Sequence, residues 1–350
     1  MPDRYVLILA GGRGERFWPW STRERPKQLL PLARGGVSLL AATVARARRV
    51  APPERILILT ARDLVDAVRR ECPGARVLGE PVGRNTAPAI AAAARLVLAE
   101  SPDAAFAVFP ADHAIDDEEA FRADLVRAFE AAEREPVLLT FGIRPTRPET
   151  NFGYIERGAR VGERLHRVAA FTEKPDRERA AAWVAGGRHA WNAGIFVWRA
   201  AVFLDALAAS RPAMAAALRG LAWEGGDEGF ARALDAVFPG LEAVSVDYAV
   251  LESAPNVLTL DAGFDWDDLG SWSAWASRQP RDAHGNVLFG DALAIDCRDC
   301  VVVGDGGRAA ALGLDGMVVV HVRGATLAVP LDRSEQVRRV TEAVRAREAR

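Results

Sequence analysis

Over its first 140 residues the chain alternates short apolar runs with helix-patterned runs, and this alternation limits the fold most. "RYVLILAG", "RILILT", "ARVLGEP", "AFAVFPADH" and "PVLLTFGI" read as strands. Between them, "SLLAATVARARRV", "RDLVDAVRREC", "APAIAAAARLVLAE" and "EEAFRADLVRAFEAAERE" read as helices, the third built on alanine, the best helix former. Strands that are apolar on both faces and alternate with helices predict an α/β fold. The expectation is a Rossmann-like, mostly parallel sheet with helices on both faces.

From about residue 141 the pattern loosens. "YIERG", "RVAAFTEKP" and "WNAGIFVWRA" read as strands that extend the sheet, and "RERAAAWVAGG" as a helix closed by glycines. The polar stretch "SRQPRDAHGN" reads as a linker. Beyond it come short strands with glycine turns, read as a small β-rich, β-helix-like domain closed by the helix "SEQVRRVTEAVRARE". The expected division is 1–276 for the main domain and 285–350 for the small one, with the C-terminal strands packed on the main domain or forming a homodimer contact.

Net charge is −2, so there is no basic footprint for nucleic acid. No apolar run is long enough for a bilayer, and "RYVLILAGG" is too short for a signal peptide, so the expected compartment is the cytoplasm. Three cysteines, Cys72, Cys297 and Cys300, argue against a disulfide framework. The pair in "CRDC" has metal or redox spacing but no second pair to complete a zinc site, so small apolar residues around a turn or strand are expected.

An anionic ligand must therefore be met by locally gathered cations. Of 45 basic residues only Lys27 and Lys174 are lysine. Lysine is a compact point charge on a thin stem, arginine a flat fork, and a site crowded by phosphate oxygens can need the former. Lys27 lies in "LAGGRGERFWPWSTRERPKQ", directly after the first strand, where open α/β sheets bind ligands. The loop is not a Walker loop, since no Gly-Lys-Ser/Thr follows. Phe17 stands where a dinucleotide fingerprint needs its third glycine. What remains is a loop whose backbone N–H groups, freed of side chains at Gly11, Gly12 and Gly14, can face a polyphosphate, with Arg13, Arg16 and Lys27 adding charge.

Gly-Gly-x-Gly-x-Arg, then Trp-Pro, then Pro-Lys-Gln resembles the signature of nucleotide-sugar pyrophosphorylases, in their mannose-1-phosphate guanylyltransferase branch. The resemblance recurs in "EPVGRNTAPAI", "FPADH", "TFGIRPTRPETNFGYIE", "FTEKP", "WNAGIFVW", "SVDYAVLE" and "FDWDDLGSW", as far as about residue 275. The C-terminal strands and helix resemble the short form of the family; longer relatives add a phosphomannose isomerase domain, which is not expected in this chain. The resemblance implies a nucleotidyltransferase fold and transfer of GMP from GTP to mannose 1-phosphate, giving GDP-mannose and pyrophosphate by direct in-line displacement.

By the same resemblance Asp112 and Asp268 bind Mg²⁺, Trp266-x-Asp268 selecting that acid over Asp265 and Asp267. Mg²⁺ needs few protein carboxylates, which suits two distant aspartates. Asp116 and Asp117 are better placed to cap the following helix, and His113 reads as structural. Arg16 and Lys27 are expected on the triphosphate and Lys174 on the sugar phosphate. The nucleotide would lie against Ala10, Gly11, Gly12 and Gly14, with Glu80, Asn85 and Thr86 at the base. Capping of the alanine helix is the competing role for Asn85 and Thr86. Gly153, Tyr154, Glu173, Asn192 and Gly194 are the candidate sugar contacts, and Asp247 and Tyr248 lie in a further family block. Another sugar-1-phosphate nucleotidyltransferase, using glucose or heptose phosphate or another base, stays open on the residues alone. A non-catalytic sugar-nucleotide sensor is the other alternative, though Lys27, Asp112 and Asp268 are all kept.

Overall fold

The first apolar run becomes strand β1 (Arg4–Leu9), buried from Tyr5 to Ile8. The structure, a computed structural model, describes residues 3–12 and 14–348; Arg13, weighed above as a phosphate-facing charge, lies outside them. In chain order follow α1 (Leu39–Ala47), β2 (Ile56–Ala61), α2 (Val65–Glu71), β3 (Arg76–Glu80), α3 (Thr86–Glu100), β4 (Ala105–Pro110), α4 (Glu118–Arg134), β5 (Leu138–Ile143), β6 (Gly153–Gly162), β7 (Leu165–Glu173), α5 (Arg177–Gly186), β8 (His189–Arg199), α6 (Ala200–Ser210), α7 (Pro212–Arg219), α8 (Gly226–Val237) and β9 (Val257–Asp261).

Among the described residues β1 to β9 form one sheet, in the order β3-β2-β1-β4-β8-β5-β9-β7-β6. The half β3-β2-β1-β4 is parallel throughout, as the strand–helix alternation predicts. β8 then runs antiparallel to both β4 and β5, so the sheet is mixed. At the far edge β6 and β7, separated by two residues, pair as an antiparallel hairpin, because a connection that short cannot make the crossover that parallel neighbours need. Apolar side chains of β1, β2, β4 and β8 pack with the alanine face of α3 and with Phe203, Phe230 and Phe238 in the core of this unit. Asp117 caps α4 by accepting from Ala120 N at 3.0 Å, and left-handed Gly187 (φ 70°) ends α5.

A second compact unit holds the C-terminal elements α9 (Trp272–Ser277), β10 (Val287–Ile295), β11 (Val301–Leu312), β12 (Met317–Val322), β13 (Ala325–Pro330) and α10 (Val337–Glu348). It also takes Gly12–Ala42 and Asp112–Ala114; the first unit keeps the chain up to Gly11, with Thr43–Ala111 and Ile115–Trp266. β10, β11 and β12 are stacked in parallel, Val287 beside Val301 and Val301 beside Val318, like successive coils of a β-helix. β13 returns antiparallel. Their inward valines pack on an aromatic cluster of Phe17, Trp20, Trp272 and Trp275. Trp20 lies with ring centroids 4.8 Å from Phe289 and 5.9 Å from Trp272, and its Nε1 donates to Asp305 at 2.7 Å.

The polar stretch before β10 is an ordered turn. Asp282 accepts from the backbone of His284 and Asn286, both at 2.8 Å. Buried Asn286 in turn donates to Cys297 O at 3.0 Å and accepts from Cys300 N at 2.9 Å. Cys297 and Cys300 are free, buried thiols beside Ala309 and Ala311, packed as small apolar residues.

Candidate active site

Within the second unit a cleft of about 290 Å3 gathers Arg16, Lys27, Asp112, His113, Asp268 and Arg338. Lys27 is its centre. Its stem is 6 % exposed, and its ammonium donates to Asp112 Oδ2 at 2.9 Å and to the carbonyl of Asp268. Gly14 makes this possible: at φ 56° it takes a left-handed turn, and a Cβ there would stand 2.1 Å from Lys27 Cβ. Buried Gln28 ties the same loop down by donating to Gly12 O at 2.9 Å. Arg16 reaches Gly270 O at 3.4 Å, and Gly270 N donates to Asp268 Oδ1 at 3.1 Å.

The two carboxylates differ in proton affinity. Burial opposes ionisation of Asp112, but the Lys27 ammonium, helped by His113, outweighs it and holds the carboxyl below its usual range. At Asp268 burial dominates over Lys27, and with Asp267 and Asp112 nearby the carboxyl is pushed up to about 6. The neighbouring acids have structural work. Asp265 accepts from the backbone N–H of Asp116 and Asp117, and Asp267 from that of Leu269 at 2.7 Å. Among the described residues no three His, Cys, Asp or Glu side chains gather as a metal cage. Two carboxylates on one cleft fit a hard cation that completes its shell with phosphate oxygens and water.

In the first unit a second constellation forms around an irregularity in β8. Thr140 stands opposite Phe196, yet Gly142 stands opposite Asn192, so Ala193, Gly194 and Ile195 face Phe141 alone. Gly194 (φ 67°) supplies the left-handed residue this bulge needs. Asn192 Oδ1 accepts from Gly194 N at 3.2 Å and from the Thr140 hydroxyl at 2.7 Å. Its Nδ2 is thereby aimed at Asp247 Oδ1, 3.0 Å away. Asp247 opens a π-helical turn, Asp247–Leu251, and burial with Glu173 beside it raises its carboxyl to about 7. Glu173 pairs across the hairpin with Gly153 and holds Lys174 at 3.0 Å, whose side chain is 60 % exposed. Tyr154 is buried, and its hydroxyl accepts from Glu149 N at 3.1 Å.

Also in the first unit, Ala10 O accepts from the Thr60 hydroxyl at 3.0 Å, and Gly11 lies against the Glu80 carboxylate. Burial raises the Glu80 carboxyl to about 7. Asn85 and Thr86 hold the start of α3: Asn85 Oδ1 accepts from Thr86 N at 2.8 Å, and Thr86 Oγ1 accepts from Val246 N at 2.9 Å. Sequence reasoning missed Thr140, whose threonine signal is indistinguishable from ordinary strand composition. It also missed Arg338, one arginine among many on the last helix.

A parallel-stranded α/β half, a glycine turn giving way to a buried lysine, and two carboxylates on that lysine's cleft define a protein built to handle phosphate anions. The chain belongs to the nucleotidyl transferase family, which it matches over residues 5–284; residues 290–344 match the mannose-phosphate isomerase/GMP-like beta-helix domain. It is 38 % identical to a mannose-1-phosphate guanylyltransferase of Escherichia coli, over 96 % of this chain and 73 % of that protein. It is 40 % identical to the xanthan biosynthesis protein XanB of Xanthomonas campestris pv. campestris (strain B100), over 99 % of this chain and 74 % of that one. A solved structure from Thermus thermophilus, described as a mannose-1-phosphate geranyltransferase, superposes with a TM-score of 0.88 at 39 % identity, covering 98 % of this chain and 99 % of that one. Among the described residues no helix is long and apolar enough to cross a membrane.

Proposed function

We propose that the chain transfers GMP from GTP to α-D-mannose 1-phosphate in the cytoplasm, giving GDP-mannose and pyrophosphate, with Mg²⁺ as the divalent cation. The observation that carries this reading is the Lys27 ammonium, buried and held between Asp112 and the Asp268 carbonyl on one cleft. The names of the relatives supply the base and the sugar. A phosphate oxygen of mannose 1-phosphate attacks the α-phosphorus of GTP, and the bond to the β-phosphate oxygen breaks as pyrophosphate leaves. Neither step needs a covalent enzyme intermediate, so the work is positioning and charge neutralisation.

Lys27 places a single compact charge on the triphosphate, and Arg16 a second one. Asp112 and Asp268 are the residues to hold Mg²⁺, which when bound neutralises phosphate charge. Asp268 must be ionised for that role, whereas Asp112 is already held so by Lys27. In the first unit Glu80 offers a carboxylate to the guanine N–H donors. Asn192 and Asp247, with Glu173, offer acceptors and donors to sugar hydroxyls, and exposed Lys174 a charge to the sugar phosphate.

The test is pyrophosphate release with GTP, ATP, UTP or dTTP, paired with mannose, glucose or heptose 1-phosphate, with and without Mg²⁺. Release should require Mg²⁺ and be fastest with GTP and mannose 1-phosphate. Release only with UTP or dTTP would defeat the guanylyl assignment, and binding of GDP-mannose without any turnover would revive the sensor reading.

A further inference from the structure

The cleft's charge balance is incomplete without the last helix. Its acids are Glu15, Asp112 and Asp268, and its fixed cations are Arg16, Lys27 and Arg338. Lys27 is already committed to Asp112, and Glu15 to Arg345 at 2.7 Å. Beside the Lys27 ammonium, whose charge Asp112 partly offsets, Arg16 and Arg338 are the cleft's guanidinium groups. Arg338 stands at the second position of α10 and is 66 % exposed; its Nε donates to Glu342 at 3.1 Å, one turn further on. An exposed i,i+4 pair of this kind is worth a fraction of a kcal/mol and yields readily to a multiply charged phosphate.

We propose that Arg338 is a substrate-binding residue of the transfer reaction, the C-terminal helix's contribution to the triphosphate of the nucleotide. The inference rests on the nucleotidyl-transfer reading and adds a phosphate contact outside the sequence blocks that carry the family resemblance. It also gives the β-helix coils a role in the reaction, since they carry α10 and fix where Arg338 stands in the cleft. On binding, the guanidinium exchanges Glu342 for phosphate oxygens, and no bond to Arg338 is made or broken.

The test compares wild type with Arg338→Ala, Arg338→Lys and Glu342→Gln. Arg338→Ala should raise KM for GTP about tenfold, the loss of one charge-assisted contact at a partly exposed site. KM for mannose 1-phosphate should stay within about twofold, a split that a merely structural role would not produce. Arg338→Lys should recover part of the loss, and Glu342→Gln should leave KM for GTP equal or lower. The salt dependence of KM for GTP should flatten in Arg338→Ala, because one ion contact has gone. An unchanged KM for GTP in Arg338→Ala, or equal rises for both substrates, overturns the proposal. Calorimetric binding of inorganic tripolyphosphate with Mg²⁺ to wild type and Arg338→Ala separates the two levels. If wild type fails to make GDP-mannose yet Arg338→Ala weakens tripolyphosphate, the reaction assignment falls and the phosphate contact stands. Equal tripolyphosphate affinity in the two proteins removes the contact whatever the reaction.

Discussion

Lys27 carries the sharpest constraint at the scale of single residues. Gly14 leaves it a channel with no room for a side chain on one side, and its ammonium ends between two oxygen acceptors. A guanidinium is a flat, broad fork that does not reproduce this single point charge on a thin stem. Lys27→Arg should lower kcat by about 100-fold or more, the range seen when one preorganised donor is displaced, while the protein remains folded. Steady-state rates with a circular-dichroism melt check this, and near-normal turnover would remove the compact-charge account. Asp247 offers a pH signature. Its carboxyl is raised to about 7, by burial first and then by Glu173. A carboxyl raised on folding lends stability that is full below its unfolded value of about 4 and is lost as pH rises through the folded value. Between about pH 5.5 and 8 the wild type should therefore lose stability that Asp247→Asn keeps. Denaturant midpoints at the two pH values measure it; parallel losses in both proteins would contradict the assignment.

At the scale of elements, the start of α3 separates two jobs for one segment. The sequence placed Asn85 and Thr86 at the base, with helix capping as the competing role. The hydrogen bonds fill the capping role, with Thr86 Oγ1 also holding Val246 N ahead of the Asp247 turn. Thr86→Val should cost about 1 kcal/mol of stability and leave KM for GTP unchanged. A rise in KM for GTP without loss of stability would return Thr86 to the base. Strand β8 shows where reading by pattern stops. "WNAGIFVW" reads correctly as a strand, but the bulge at Ala193–Ile195 is what turns Asn192 toward Thr140 and Asp247. A bulge is a relation between two strands, so one strand's residues do not announce it.

At the scale of the whole molecule, the second unit is assembled from three stretches of chain. Phe17 and Trp20, which follow the glycine loop, share one core with Trp272, Val301, Val303, Val318 and Val320. Deleting 285–350 would bare that aromatic cluster. The truncated chain should bind a hydrophobic dye, elute as aggregate and transfer no GMP; a monomeric, active product would show the cluster to be dispensable. Local pattern was enough to place nearly every strand and helix, because apolar periodicity and capping act over a few residues. The loop around Lys27 was visible for a similar reason, since a phosphate-facing loop needs glycines and a lysine at close spacing, whereas Asp112 and Asp268 were singled out by their resemblance to family blocks. By itself, then, the sequence determined the α/β class, the parallel half of the sheet and the identity of the charged groups. Only the tertiary structure decided that Lys27 lies against both Asp112 and the Asp268 carbonyl, that β8 runs antiparallel, and that Arg338 enters the cleft. Each of these depends on packing between segments tens to hundreds of residues apart, and burial energy, unlike periodicity, is set by whichever partners the folded chain brings together.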